Sequence, residues 1–193
     1  MRRTGDSVAS RLVTEARAML RQGGVRAVKL RALADRVGIT AGSMYYHFDN
    51  KSALLGILAA SGFRQLTREL EAACDECGEG REIRVWAKAY FAFAQREPAL
   101  FELMFDPEMS AGSNVREARS DLLASFRNTV GGMNAHYGLN ITQIEEITLA
   151  IWAAAHGAAS LGPGLPEEME FLDKVIAGLE AIAMLHSRQK RSG

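Results

Sequence analysis

Two cysteines are all that this 193-residue chain carries, and they stand together as Cys74 and Cys77. A disulfide framework or a Cys-rich zinc site needs a second pair, and there is none. The pair falls near a predicted helix C-terminus, beside Glu71, Asp75, Glu76 and Glu79. The helix dipole and those carboxylates both disfavour a thiolate, which argues against a redox sensor. The chain also lacks any uninterrupted apolar run of about 18 residues, so no membrane span and no membrane partner are expected. Its first residues, MRRTGDSVAS, contain no apolar core of a secretion signal, and a cytoplasmic protein is expected. Paired carboxylates, a nucleophile elbow and a phosphate loop are missing from any convincing setting, so the chain does not read as an enzyme. Nothing at metal-ligand spacing stands out, and no cofactor or metal is expected. Strand-like alternation and internal repeats are absent too, leaving an all-α chain.

Charge has no overall sign, but it has a distribution. Residues 1–60 hold ten Lys or Arg and four Asp or Glu, a net of +6; residues 61–193 hold thirteen and nineteen, a net of −6. A basic N-terminal third on an acidic remainder fits a nucleic-acid-binding head on a body that should not adhere to DNA.

The stretch from Arg31 to Leu55 sharpens that reading. Leu30, Leu33, Ala34 and Val37 repeat at helical spacing. Gly38 can supply the left-handed turn that stops the helix. Ile39 can plug the crossing between two helices, and Thr40 can cap the next one. Ala41, Gly42 and Ser43 are small enough for close approach to base edges or phosphates. Met44 and Phe48 share a face and should be core. Tyr45, Tyr46 and His47 are left for the surface, where such a cluster needs a reason. Asp49 or Asn50 can cap a further helix, with Lys51 in its first turn as a phosphate ligand.

These residues resemble the DNA-binding domain of the TetR family of bacterial transcriptional regulators. The matching positions are Ala34, Gly38, Thr40, Gly42, Ser43, Tyr45, Phe48 and Lys51, within roughly residues 8 to 60. One position departs from the pattern. The family usually caps the first helix of the pair with Ser or Thr, and here that place is Lys29, which cannot accept a hydrogen bond. Either that helix end is weaker, or Lys29 contributes a phosphate contact. A second signature lies in the segment from Ile151 to Leu161, where Trp152, His156 and Gly157 resemble the Trp-x-x-x-His-Gly type of C-terminal domain found with such heads. The run PALFELMF after Glu97 looks like that type as well.

Patterning outlines about nine helices. A first helix is capped by Asp6 or Ser7, turns Val8, Leu12, Ala16, Met19 and Leu20 inward, and ends at Gly23-Gly24. A long helix from Asn50 runs through Leu54, Leu58, Phe63, Leu66 and Leu70 towards Cys77, linking head to body. Further helices are expected over about 81–96, at Pro98, and over about 114–137, 142–161 and 166–187.

The expected organisation is therefore a helix-turn-helix domain over residues 1–52, a helical ligand-binding and dimerisation domain over 53–187, and a basic, disordered tail over 188–193. For DNA contact the reading assigns Lys29, Arg31, Thr40, Gly42, Ser43, Tyr45, Tyr46, His47 and Lys51. Gly42 and Tyr45 face bases, Arg31 reaches a guanine or a phosphate, and the others hold the backbone. Trp86, Tyr90, Phe101, Met104, Phe105, Phe126, Trp152 and His156 are candidates to line an effector cavity. Each also reads as plain core, and His156 as a buried histidine satisfied by one hydrogen bond. The last helix is apolar on more than one face, too much for packing on its own core alone. The resemblance implies a dimer across the last two long helices, and Ile147, Ile151, Ala155, Phe171, Val175, Gly178, Leu179 and Ile182 are its candidates. It further implies a palindromic double-stranded operator, a homodimer and a small-molecule effector, with the apolar body hinting at a hydrophobic or aromatic one. The rival reading is a DNA-binding dimer without an effector.

Overall fold

A computed structural model describes residues 7–78, 80–109, 112–132, 140–161 and 168–189. The side chains of residues 168, 169, 179 and 182–189 lie outside that description. Among the described residues there are nine helices and no strand. They are α1 (Val8–Ala27), α2 (Leu30–Val37), α3 (Ala41–Met44), α4 (Lys51–Asp75), α5 (Glu82–Arg96), α6 (Pro98–Met104), α7 (Ser113–Gly132), α8 (Ile141–Leu161) and α9 (Glu168–Gln189).

The chain forms two compact units. One comprises the residues up to Arg64 together with Glu97–Arg119; the other comprises Gln65–Arg96 and the residues from Ser120 onward. Helices α4 and α7 each contribute to both. In the first unit α1 packs on α2 and α6, and α2 packs on α3. In the second, α5, α8 and α9 pack on one another.

Local chemistry explains the boundaries. Ser7 caps α1, its hydroxyl accepting the N–H of Ser10 at 3.2 Å. Helical geometry is interrupted at Gly23-Gly24, where the sequence places the end of the first helix. Those residues leave helical geometry, Gly24 at φ 65°, and one further turn reaches Ala27. In that last turn the carbonyl of Val25 accepts the N–H of Val28 at 3.3 Å and the ammonium of Lys51. Gly38 takes φ 75° at the end of α2, a conformation that disfavours a Cβ. Pro98 opens α6 at a position where its missing N–H costs nothing.

The core of the first unit is built from Leu12, Ala16, Leu20, Leu33, Met44 and Leu54, all at most 1% exposed. Gly62 lets α6 approach α4: a Cβ there would lie 2.6 Å from Met104 Sδ. The second unit buries Leu70, Trp86, Tyr90, Phe126, Ile151 and Ile176. Helix α9 runs through Gln189, so Arg188 and Gln189 of the expected tail are helical. Residues 190–193 lie outside the described residues, as do Met133, Tyr137 and Pro166 of the expected helices. No described helix is long and apolar enough to cross a membrane.

Candidate nucleic-acid interface

The turn between α2 and α3 is held by backbone bonds to the end of α2. The N–H of Ile39 donates to Ala34 O at 3.0 Å, and that of Gly38 to Asp35 O at 3.3 Å. Thr40 then caps α3, its hydroxyl oxygen accepting the N–H of Ser43 at 3.1 Å. The two hydroxyls also meet at 2.9 Å. One proton is shared between them, so the other remains available to an external acceptor such as a phosphate oxygen. Met44 and Phe48 are buried at 1% and 5% exposure and anchor this short helix.

What the anchoring leaves outside is the aromatic cluster. Tyr45 is 62% exposed and Tyr46 91%, and His47 is exposed beside them. Gly42, Arg31 and Lys29 are exposed as well, and Ser43 is half-buried. Lys29 occupies the N-cap of α2 in extended conformation with no side-chain cap bond, so the lost cap foreseen in the sequence is present. At the start of α4 the carboxamide oxygen of Asn50, rather than Asp49, accepts the N–H of Ala53 at 2.8 Å. Lys51 is half-buried, and its ammonium donates to Val25 O at 2.8 Å. The structure thus gives Lys51 an internal partner that its phosphate assignment did not include. The other eight residues assigned to DNA lie within one short stretch of the first unit, all exposed except half-buried Ser43.

The effector candidates fall into two groups. Trp86, Tyr90, Phe126, Trp152 and His156 come together in the second unit. Trp86 stacks on Phe126 with ring centroids 3.8 Å apart and on Tyr90 at 5.0 Å. The hydroxyl of Tyr90 and His156 Nδ1 are 3.0 Å apart. Trp152 stacks on His156 at 5.9 Å. Burial pushes the Tyr90 phenol well above its ordinary range, opposed in part by the neighbouring Trp152 indole. Burial also lowers His156, which favours the neutral imidazole. Phe101, Met104 and Phe105 belong instead to the first unit, where Phe105 meets Phe63 edge-on at 5.2 Å.

The dimer candidates divide by exposure. Ile147, Ile151 and Ala155 are buried within the single chain. Phe171 and Val175 are half-buried and Gly178 is exposed, while the side chains of Leu179 and Ile182 lie outside the described residues. The exposed face of α8 carries Leu149, Ala153 and Ser160, and that of α9 Ala177, Gly178 and Ala181.

Sequence reasoning passed over one cluster. Glu97, just ahead of α6, is 3% exposed. Arg21 holds it in a two-pronged bond, Nε to Oε2 at 2.9 Å with a second bond to Oε1, and Arg17 Nη2 reaches Oε1 at 3.1 Å. The bond from Arg21 keeps this carboxylate below its usual range, against the effect of burial and with further help from Arg17. Two arginines four apart on one face of α1 were the available signal. Cys74 is pushed up to about 11, by burial first and then by Cys77, Glu82 and Asp75, which disfavours its thiolate. No group of metal-ligating side chains occurs among the described residues.

Comparison with known proteins converges on one family. Residues 12–56 match the bacterial regulatory proteins of the tetR family, and residues 83–164 match the tetracyclin repressor-like C-terminal domain. The latter description does not single out the Trp-x-x-x-His-Gly type. A probable acrEF/envCD operon repressor of Escherichia coli strain K12 is 32% identical over 116 residues, 55% of this chain and 53% of that protein. The match thus spans about half the length of this curated relative. A Rhodococcus sp. RHA1 protein of unknown function has the same fold, with a TM-score of 0.77, 28% identity, and coverage of 94% of this chain and 95% of that one. The structure of AibR in complex with isovaleryl coenzyme A and operator DNA matches at a TM-score of 0.66 with 9% identity, covering 89% and 97%.

Proposed function

The chain belongs to the TetR family of bacterial transcriptional regulators, and we propose that it is a repressor released from a palindromic operator by a small hydrophobic or aromatic effector. The observation that carries the DNA half of this reading is the exposure of Tyr45 and Tyr46 beside the capped α3, on buried Met44 and Phe48. A surface that holds out two tyrosines costs solubility unless a partner covers them.

Two such heads reading two half-sites require a dimer. The small residues Ala153, Ala177, Gly178 and Ala181 on the exposed faces of α8 and α9 would let helices of a second copy approach closely. Buried Ile147, Ile151 and Ala155 would then support this face from beneath rather than form it. We assign the effector to the cluster of Trp86, Tyr90, Phe126, Trp152 and His156, where stacked rings surround a polar edge. The AibR complex supports a ligand-bound state for this fold. An effector acts only through its different affinity for the two states of the regulator. A cytoplasmic location goes with this reading.

The test is binding of the purified protein to DNA from around its own gene at a stated salt concentration. Protection of a palindromic sequence with dimer stoichiometry is the expected result. Weak, sequence-independent binding alone would overturn the operator reading for that DNA.

A further inference from the structure

We propose that the cleft beside Gly56 binds a small uncharged amphiphile, a compact aliphatic body carrying one hydroxyl or carbonyl oxygen. The cleft measures about 330 Å³ and lies within the first unit, whereas the aromatic cluster assigned to the effector lies in the second. The two sites are therefore tested independently. A volume of this size suits a small organic molecule.

Gly56 is the reason the cleft is open. It sits inside the 25-residue helix α4, where glycine weakens a helix relative to alanine. Two common needs for glycine are absent. Its φ is not positive, and a Cβ built on it would meet nothing within 4 Å. Gly62, two turns along, is the contrast: there a Cβ would collide with Met104 and Leu100, so packing explains the residue. At position 56 the missing side chain does nothing for packing and leaves space.

The lining sets the chemistry. Val115 and Met109 are buried, and with half-buried Ala53 and Ile57 they make an apolar floor. Exposed Ser52, Glu108, Ser113 and Asn114 make a polar rim. An aliphatic body fits the floor, and a single oxygen suits the hydroxyls and the carboxamide. Charge is disfavoured in both signs. The Glu108 carboxylate repels an anion. The first turns of α4 and α7 border the cleft, and the partial positive charge of their ends offsets the pull of Glu108 on a cation, while the apolar floor would strip water from an ion of either sign. Occupancy would join the start of α4 to the start of α7 inside the unit that carries α2 and α3, giving the head a ligand input of its own.

The test uses three probes of one shape: cyclohexanol, cyclohexanecarboxylate and cyclohexylammonium. Each is titrated into the full-length protein while the methyl resonances of Ile57, Met109 and Val115 are followed. Cyclohexanol should give saturable shifts at roughly millimolar concentration, with both ions at least about tenfold weaker. Gly56→Leu should abolish the shifts while melting no lower than the wild type. Gly56→Ala should weaken binding severalfold and carries the test if the leucine variant does not fold. Glu108→Gln should narrow the gap between cyclohexanol and the carboxylate. Absence of saturable shifts in the wild type, or their survival in both glycine variants, overturns the site. Equal binding of either ion overturns the ligand class.

Discussion

The ammonium of Lys51, in the first turn of α4, donates to the carbonyl oxygen of Val25 in the last turn of α1 across 2.8 Å. That carbonyl also accepts the N–H of Val28 at 3.3 Å, in a helix end whose acceptors lack the usual i+4 donors. The bond from Lys51 therefore ties the end of the kinked α1 to the start of the helix that follows α3. An ammonium has three protons, and this one leaves two for a phosphate. Lys51→Ala should thus lower stability by about 1 kcal/mol. It should also reduce the slope of log affinity against log salt by about one unit on any DNA sequence. A drop in stability with an unchanged slope would assign the residue to the internal bond alone.

Lys29 poses the reverse trade. It stands at the N-cap of α2 without a cap bond and is exposed to whatever the head binds. Lys29→Thr restores an acceptor and should stabilise the protein by about 1 kcal/mol. The same substitution removes a charge and should weaken DNA binding, with the salt slope lower by about one unit. Thermal unfolding and binding titrations on one preparation check both signs. A variant that is stabilised and binds as well as the wild type would leave Lys29 without a DNA role.

How much of this was legible in the sequence depended on whether the cause was local. Gly38, Thr40, Met44 and Phe48 act within one turn of themselves, so spacing alone placed the head's turn, cap and core correctly. The lost cap at Lys29 was visible for the same reason. Contacts between residues distant in sequence were not. Nothing near Glu97 announces Arg17 and Arg21 some 76 to 80 positions away, and nothing near Lys51 announces Val25. The aromatics of the body looked like one set because composition carries no distance. Folding separated Phe101, Met104 and Phe105 from the Trp86 cluster. The resemblance likewise pointed to Ile147, Ile151 and Ala155 for the dimer, but could not tell that these residues are covered by the chain itself.

Tyr45 separates affinity from stability. At 62% exposure its ring contributes little to the core, and removal should leave the melting temperature and the oligomeric state unchanged. Tyr45→Ala should nevertheless cut operator affinity by about tenfold or more, the scale of one lost base contact. The salt slope should not move, because no charge is lost. Unaltered operator affinity would remove Tyr45 from the interface.

The hydroxyl of Tyr90 meets His156 Nδ1 at the polar edge of the aromatic cluster. Tyr90→Phe keeps the ring and its stacking on Trp86 but leaves half-buried His156 without its phenolic partner. A loss of about 1–3 kcal/mol is expected. Removing the hydroxyl should also change the His156 titration followed by its ring proton resonances. A variant as stable as the wild type, with an unmoved histidine, would mean that the hydroxyl bonds carry no weight.

Glu97 should make the first unit sensitive to acid. Its carboxylate is held below its ordinary value, first by the bond from Arg21. The stabilisation is therefore complete above the ordinary carboxylate range and is lost as pH falls through the lower, folded value. Glu97→Gln removes the charge but keeps the shape, leaving Arg17 and Arg21 without their counterion. Breaking a fully buried pair costs about 3–5 kcal/mol. Arg21 has 56% of its side chain exposed, so solvent screens part of the loss and roughly 2 kcal/mol is expected near neutral pH. The difference from the wild type should shrink at acid pH, well below the ordinary carboxylate range, as the native carboxylate itself takes up a proton. Urea unfolding of both proteins at neutral and acid pH, with α1 amide exchange as the local probe, measures it. An equal gap at both would show that Glu97 acts through packing, and that its ion pairs with α1 contribute nothing of their own.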